Sequence, residues 1–185
     1  MVFCVLQDVR SVFLICSSAG THFLRQNRDH RGNLLRVRKS MIVVEDEIEV
    51  HLVKSWDNDE IADLYRAGGW WKEEYDPSAL GFLIQGSFSF VVAVNKKTGK
   101  AIGMGRVISD GVSDGYIQDL VVFPAYRKNG IGREMVSALV GQCILSGITW
   151  IALIAEPDTE KFYLPLGFKP MERHIPMIFR GDGAC

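Results

Sequence analysis

The sequence predicts an α/β fold with a mixed, mostly antiparallel sheet, a central pair of parallel strands and about four flanking helices. Strand-like segments recur between turn-rich segments over residues 88–123, as in an antiparallel meander. An apolar helical pattern over residues 131–146 separates two strand-like segments, and a strand, helix and strand in succession form a right-handed crossover between parallel neighbours. Shorter helical patterns lie at residues 57–67 and after Pro77.

The first half of this fold begins with the strand-like segment IEVHLVKSW, which a helix follows. Asp57 suits the N-cap of that helix, apolar residues from Ile61 onward recur at helical spacing, and Gly68 ends it. A second short helix begins near Pro77, because proline suits a first helical turn. The turn-rich segment NKKTGK then joins FSFVVAVN and AIGMGRVIS into a hairpin, and YIQDLVVF adds a third strand that ends at Pro124.

The second half of the fold contains the longest predicted helix. Over residues 131–146 polar residues recur every four positions and apolar residues fill the rest, which predicts a mostly buried helix. The segment ITWIALIA is a nearly continuous apolar run, typical of a central strand covered on both faces. PDTEKFYLPLGF predicts a short helix stopped by Gly167, and HIPMIF predicts a last strand.

Composition and charge exclude several functional classes. The 185 residues are 48% hydrophobic and 23% charged, which fits one globular domain with an apolar core. Residues 41–185 are mildly acidic, with 14 Lys or Arg against 20 Asp or Glu, so nucleic acid is not an expected partner. No apolar run approaches the ~20 residues of a membrane-spanning helix, so no membrane association is expected.

The first forty residues are basic, with seven Lys or Arg against two Asp or Glu. Gln7, Asp8 and Arg10 interrupt their apolar part and leave SVFLIC too short for a signal-peptide core. We interpret residues 1–40 as an N-terminal extension outside the fold, either a targeting leader or the result of a start that belongs at Met41. Residues 41–185 are then the domain.

Cysteine and histidine give no sign of a metal site. The four cysteines lack the paired spacing of metal or redox motifs, which favours reduced thiols in the cytoplasm. The four histidines are scattered along the chain, so surface or packing roles are expected for them.

The segment RKNGIGR, residues 127–133, lies between a predicted strand and the longest predicted helix. A first helical turn has unpaired backbone N–H groups and a partial positive charge, so a glycine-rich, cationic loop at that point predicts an anion cradle. It has no Lys-Ser/Thr after its second glycine, as a Walker loop would, and lacks the third glycine of a dinucleotide fingerprint. The residues expected to contact a pyrophosphate are Arg127, Lys128, Asn129, Gly130, Ile131, Gly132 and Arg133.

The loop resembles the signature Arg/Gln-x-x-Gly-x-Gly/Ala of the GNAT superfamily of acetyl-CoA-dependent N-acetyltransferases, matched by Arg127, Gly130 and Gly132. The preceding LVVFP is similar to the family's strand that ends in proline, and FYLPLGF is similar to its later FYxxxGF segment. The resemblance covers about residues 45–180. It implies a parallel strand pair that splays around acetyl-CoA, with backbone groups of Leu120, Val121 and Val122 against the cofactor.

For catalysis, the resemblance implies that Tyr163 protonates the departing thiolate, because it matches the tyrosine that many members place near the cofactor sulfur. The base is less defined, since the family often has a Glu where this chain has Gln118. Asp119 and Glu156 are the two candidates, each acting on the amine directly or through water, and ordered water alone is a third option.

The segment at residues 67–76 occupies the family's usual substrate-side loop, where Trp70, Trp71 and Tyr75 would form an aromatic wall for an amine. The expected activity is therefore acetyl transfer from acetyl-CoA to a primary amine of a small molecule or peptide. A non-catalytic acyl-CoA sensor on the same fold is the alternative, and a nucleotide-phosphate binder is disfavoured by the loop motif. The sequence leaves the state of association open, a homodimer included.

Overall fold

The computed structural model describes residues 47–179. Within this range the chain forms one sheet of five strands, flanked by helices on both faces. The interpretation of residues 1–40 as an extension, and three of the four cysteines, lie outside the described residues. Cys143, the fourth, is a buried free thiol.

The five strands lie in the sheet in the order in which they occur along the chain. Neighbouring strands are antiparallel except the last two, which are parallel. The predicted hairpin and third strand of the meander are confirmed as the second, third and fourth strands. The strands are β1 Ile48–Val53, β2 Ser89–Asn95, β3 Lys100–Ile108, β4 Asp114–Val122 and β5 Trp150–Leu153.

Four α-helices accompany the sheet, as predicted. The first begins after the N-cap Asp57, whose carboxylate accepts a hydrogen bond of 3.0 Å from the backbone N–H of Glu60. No helix in the described range is long and apolar enough to cross a membrane. The helices are α1 Asn58–Ala67, α2 Ala79–Gly86, α3 Ile131–Leu145 and α4 Glu160–Tyr163, with short 3-10 turns at Pro124–Tyr126 and Leu164–Leu166.

The sheet separates two apolar cores, because successive strand residues point to opposite faces. On β2, Phe90 and Val92 pack with helices α1 and α2, while Val91 and Ala93 pack with α3. All four side chains are almost fully buried. Burial of β2 on both faces makes it the centre of the sheet's packing, and the two cores anchor the helices around it.

Strand β4 carries a β-bulge. Its pairing with β3 joins Val121 to Met104 but Gln118 to Arg106, so two residues of β4 lie opposite one residue of β3. Asp119, at the bulge, has a φ of 55°, in the left-handed region that a side chain disfavours. Residues on either side of the bulge therefore face differently than their spacing suggests: Ile117 packs in the α3 core and Val121 in the α1/α2 core.

Two details of the predicted sheet are wrong. The parallel pair lies at the end of the sheet rather than its centre, since no strand among residues 47–179 pairs with the outer edge of β5. Trp150 and Ile154 are accordingly 53% and 62% exposed. The segment HIPMIF, at residues 174–179, has no regular secondary structure. Pro176 in its middle lacks a backbone N–H for a ladder, and an apolar pattern alone does not supply a pairing partner.

Candidate active site

Strands β4 and β5 separate part-way along their length. Their parallel pairing runs from Asp114 opposite Trp150 to Ile117 opposite Leu153, where β5 ends. Strand β4 continues to Val122 along β3 alone. The gap between the two strands holds a cavity of about 230 Å³, here called the gap cavity. Its lining comprises Trp70, Tyr116, Ile117, Gln118, Asp119, Leu120, Leu153, Ile154, Glu156 and Tyr163.

The gap cavity brings together the three side chains proposed from the sequence for acid or base chemistry, Tyr163, Asp119 and Glu156. A larger cavity of about 700 Å³ runs along β5 and is mainly lined by apolar side chains, and Leu153, Ile154 and Tyr163 line both cavities. We take the gap cavity as the candidate site, because it alone holds both carboxylates and the bulge of β4.

Tyr163 is held by aromatic packing. Its ring meets those of Phe162 and Phe168 edge-on, with centroid separations of 4.8 Å and 5.9 Å. Burial, and after it the nearby Glu156 carboxylate, raises the pKa of the Tyr163 phenol above its usual value. The hydroxyl therefore keeps its proton at neutral pH, which is the state that a proton donor needs.

Asp119 is engaged by two donors from other elements. Its Oδ2 accepts a hydrogen bond of 2.6 Å from the Tyr65 hydroxyl on α1 and another of 2.6 Å from Arg106 Nε on β3. A second Arg106 nitrogen donates to Gln118 Oε1 at 3.2 Å. Burial first, and then Asp119, raises the pKa of Tyr65, so its hydroxyl remains a donor.

The sequence does not predict this cluster of Tyr65, Arg106 and Asp119. Tyr65 belongs to the apolar helical pattern that begins at Ile61, and no motif includes Arg106. Tyr65 and Asp119 are 54 positions apart, so no local pattern joins them. The one available signal is Arg106 itself, a charged residue in the apolar interior of β3.

Glu156 differs from Asp119 in its surroundings. It follows β5, is exposed and lines the gap cavity. Within residues 47–179 no group forms a hydrogen bond or an ion pair with its carboxylate. Of the two carboxylates within these residues, Glu156 is thus the one with neither oxygen hydrogen-bonded, whereas Oδ2 of Asp119 accepts from two donors.

The predicted aromatic wall is only partly at the site. Trp70 lines the gap cavity, whereas Trp71 and Tyr75 do not. The Trp71 ring packs edge-on against Tyr75, with centroids 5.7 Å apart, and lies under the Arg66 guanidinium at 5.2 Å. Because the two tryptophans are adjacent, the sequence does not show which of them faces the cavity.

The Trp70 indole packs against Gly68 and Tyr65. Its indole covers Gly68 so closely that a Cβ at that glycine would come within 2.6 Å of the ring. Its ring centroid lies 6.2 Å from that of Tyr65, in an edge-on arrangement. The ring is 37% exposed, and this open part belongs to the cavity wall.

The anion cradle predicted at residues 127–133, here called the cofactor loop, has the geometry that its sequence suggests. Gly130 has a φ of 81° at the N-cap of α3, and Lys128 has a φ of 68°. The first hydrogen bond within the helix runs from Glu134 N–H to the Gly130 carbonyl, so the N–H groups of Ile131, Gly132 and Arg133 have no acceptor in the helix. Ile131 is buried and can contribute only its backbone.

The cofactor loop is tied to its neighbours at two points. Arg127 Nε donates a hydrogen bond of 2.9 Å to the Val122 carbonyl at the end of β4. Gly132 lies beside Phe162 of α4, since a Cβ there would lie 3.2 Å from the ring. Backbone donors, cations and a glycine thus lie together beside the end of β4, and an anionic group such as a pyrophosphate needs these features.

The fold and the site together define the class of protein. It is an α/β domain in which two parallel strands separate beside a glycine-rich, cationic loop at the start of a helix. The chain belongs to the acetyltransferase (GNAT) family, whose family model matches residues 50–168. This match covers β1 through the segment that follows α4, the cofactor loop and the gap cavity included.

GCN5-related N-acetyltransferase 1, chloroplastic, of Arabidopsis thaliana is 29% identical over 110 residues, which cover 60% of this chain and 55% of that relative. The chain thus spans about half the length of this curated relative. A probable acetyltransferase of unknown function from methicillin-resistant Staphylococcus aureus has a TM-score of 0.62 at 21% identity, covering 74% of this chain and 100% of that one. The aminoglycoside N-acetyltransferase AAC(6')-Iy, solved with CoA, has a TM-score of 0.57 at 17% identity, covering 73% and 96%. These two structures share the fold.

Proposed function

We propose that this chain transfers an acetyl group directly from acetyl-CoA to a primary amine of a small molecule or peptide. The observation that carries the proposal is the convergence of Tyr163, Glu156 and the bulged backbone of β4 on the gap cavity. Membership of the acetyltransferase family and a structural neighbour solved with CoA support acetyl-CoA as the acyl donor.

In this proposal the cofactor loop holds the pyrophosphate through the N–H groups of the first turn of α3 and the charges of Arg127, Lys128 and Arg133. Backbone groups of Leu120, Val121 and Val122 meet the pantetheine arm and the thioester. Their N–H groups suit this role because the Val121 side chain is buried in the α1/α2 core and cannot face the cofactor. A backbone donor at the thioester carbonyl stabilises the oxyanion that forms during attack.

The proton leaves the amine first. An ammonium group has a pKa near ~10, so a base is needed at neutral pH. We assign this role to Glu156, directly or through an ordered water, because its carboxylate has no partner within residues 47–179. Asp119 stays the second candidate, with its Oδ2 already bonded to Arg106 and Tyr65.

The neutral amine nitrogen then attacks the thioester carbonyl, the C–S bond breaks as the amide forms, and the second proton that the nitrogen loses passes to solvent. Tyr163 gives its phenolic proton to the departing sulfur, and a proton from solvent restores it. The raised pKa of Tyr163 suits this role because the phenol stays protonated until it is needed. Trp70 and Tyr116 form the aromatic part of the wall that the amine meets.

The proposal places this activity in residues 41–185 and in the cytoplasm. The family match over residues 50–168 supports the assignment to that part of the chain. The Arabidopsis relative carries a chloroplast designation, so imaging of a full-length chain tagged at its C-terminus tests the compartment. Chain association, with a homodimer as the simplest form, is measured by sedimentation of the same full-length protein.

A non-catalytic acyl-CoA sensor is the second candidate. It is favoured by Gln118, which lines the gap cavity where the family often has a glutamate, and by the ion pair that occupies Asp119. Such a sensor would bind acetyl-CoA in the same gap and release no thiol in the presence of amines.

The deciding experiment is a free-thiol assay with acetyl-CoA and a panel of primary amines, including small aryl-alkyl amines, polyamines, amino acids and lysine peptides. Amine-dependent thiol release that disappears in Tyr163→Phe supports the enzyme. Acetyl-CoA binding without thiol release across the panel supports the sensor. Absence of acetyl-CoA binding would contradict both.

A further inference from the structure

Three elements meet at the bulge of β4. Asp119 belongs to the bulge itself, Arg106 lies on the paired strand β3, and Tyr65 lies on α1. Both donors reach the same carboxylate oxygen at 2.6 Å, and Arg106 also reaches Gln118, the residue before the bulge. The Arg106 and Asp119 side chains are 18% and 20% exposed, so the ion pair is largely shielded from water.

The bulge needs such support. Asp119 adopts a positive φ that is unfavourable for a residue with a side chain, and such a conformation persists only where its surroundings hold it. On the opposite face of the sheet, Gly105 of β3 leaves room for the Leu120 side chain, since a Cβ at that glycine would lie 2.9 Å from Leu120. The bulge is therefore held from both faces of the sheet.

The two donors do not belong to the cavity wall. Asp119 lines the gap cavity, whereas Arg106 and Tyr65 do not. They can influence a bound ligand only through Asp119 and the backbone that follows it.

We propose that Arg106 and Tyr65 are positioning residues, which use Asp119 as a tether to hold the β4 bulge so that the following backbone meets the thioester carbonyl. This inference rests on the proposed use of acetyl-CoA in the gap. It gives Asp119 a geometric task in place of proton transfer, and it explains why one oxygen of its carboxylate accepts hydrogen bonds from two donors. A tether needs only an acceptor oxygen, whereas a base needs a carboxylate.

The first test uses the difference between Asp119→Asn and Asp119→Ala. Asparagine keeps an acceptor oxygen for Tyr65 and Arg106 but cannot take a proton from an amine. Positioning predicts that Asp119→Asn retains most of the turnover, within roughly tenfold, while Asp119→Ala loses roughly 10²-fold, as when a donor to the oxyanion is lost. Equal losses in both variants would overturn the proposal and return Asp119 to the role of base. Asp63, paired with Arg66 at 2.8 Å on the surface, provides the matched control, and its Asn and Ala variants should behave alike.

The second test needs no turnover. Calorimetry gives the ratio of acetyl-CoA affinity to CoA affinity, and only acetyl-CoA carries the carbonyl that the bulge would meet. In Tyr65→Phe and Arg106→Lys this ratio should fall by roughly three- to tenfold, the worth of one hydrogen bond, while CoA affinity stays within about twofold. An unchanged ratio in both variants would overturn the proposal.

Hydrogen exchange of the backbone amides of residues 119–121 separates this inference from the proposed function. Exchange should be faster in Tyr65→Phe and Arg106→Lys than in the wild type, whether or not any amine is acetylated. A wild type that acetylates nothing, with the expected shifts in affinity ratio and exchange, would refute the enzyme and leave the positioning role standing. Unchanged exchange in both variants would refute the positioning role, even in an active enzyme.

Discussion

Gly132 in the first turn of α3 lies beside Phe162 in α4, so closely that a Cβ at Gly132 would lie 3.2 Å from the Phe162 ring. Phe162 in turn packs edge-on against Tyr163 at a centroid separation of 4.8 Å. The loop proposed to hold the pyrophosphate and the proposed acid are thus two ends of one packed unit. A change at Gly132 is expected to reach both.

Gly132→Val should weaken acetyl-CoA binding severely, because the branched side chain must displace Phe162 or push the first turn of α3 away from the pyrophosphate. Gly132→Ala should have a smaller effect, since a shift of a few tenths of an ångström accommodates it. Calorimetric titration with acetyl-CoA measures both. Gly141→Ala in the same helix is the control, because its Cβ would meet nothing within 4 Å and should only stabilise α3, by about 1 kcal/mol. Wild-type affinity in Gly132→Val would refute this role of the loop.

Tyr163→Phe should lower turnover by roughly 10²-fold, because the substitution keeps the ring between Phe162 and Phe168 and removes only the proton donor. Acetyl-CoA affinity and the melting temperature should change little. Tyr126→Phe is the matched control, since its hydroxyl accepts a hydrogen bond from Asn95. Steady-state thiol release gives the rates, and near-normal turnover in Tyr163→Phe would leave Tyr163 a packing residue.

Glu156→Gln should lower turnover, because Glu156 is the proposed base, and should shift the alkaline limb of the turnover that remains to lower pH. The Glu156 carboxylate is the second cause, after burial, of the raised pKa of Tyr163, so its removal lowers that pKa toward the usual 10.0 without reaching it. The protonated donor is then lost at lower pH. The raised pKa of Tyr163 also makes the free energy of unfolding depend on pH. The contribution of the buried neutral phenol is fully present at pH below its unfolded pKa and is lost as the pH rises through the higher folded pKa.

The measurement is the pH dependence of turnover from about pH 8 to about pH 11, with tyrosinate absorbance as a direct probe. Tyr163→Phe identifies the part of the absorbance change that belongs to Tyr163. An alkaline limb at the same pH in Glu156→Gln and wild type would show that the phenol does not sense Glu156.

Gly68→Ala should raise the KM for the amine several-fold without changing acetyl-CoA affinity. Gly68 has a φ of −79°, which alanine adopts freely, so the only cost is the contact of the new Cβ with the Trp70 indole at 2.6 Å. The indole must move and the cavity wall moves with it. Gly86→Ala, with no atom within 4 Å of its Cβ, is the control. An unchanged KM would place the amine away from Trp70.

Most of the fold could be predicted from local sequence patterns. The cap at Asp57, the hairpin around NKKTGK, the end of β4 before Pro124 and the helix after Gly130 all depend on neighbouring residues, and all were predicted. The position of β5 at the sheet edge was not predicted. An apolar run indicates a strand with hydrophobic faces, but it does not show which strands lie beside it.

Contacts between distant parts of the chain could not be predicted from the sequence. The motif around Tyr163 predicts its place near the cofactor sulfur, and the sequence offers Asp119 and Glu156 as candidate bases. The donors that occupy Asp119 come from α1 and β3, and only the folded chain brings them together. Trp70 and Trp71 are adjacent in sequence, yet a difference of one position decides which of them faces the cavity.

The bulge in β4 also limits how this strand can change in evolution. Deletion of one residue among 118–120 would restore a regular ladder with β3 and would keep Val121 opposite Met104, in the α1/α2 core. The sheet would tolerate this change, but the extra residue beside the gap cavity would be lost, and with it the backbone that is proposed to meet the thioester. The number of residues in β4 is therefore fixed by the proposed acyl side of the gap, whereas turns such as residues 109–113 and the loop that carries Trp70 can vary in length. New acceptor preferences can arise in that loop while the acyl side of the gap keeps a fixed residue count.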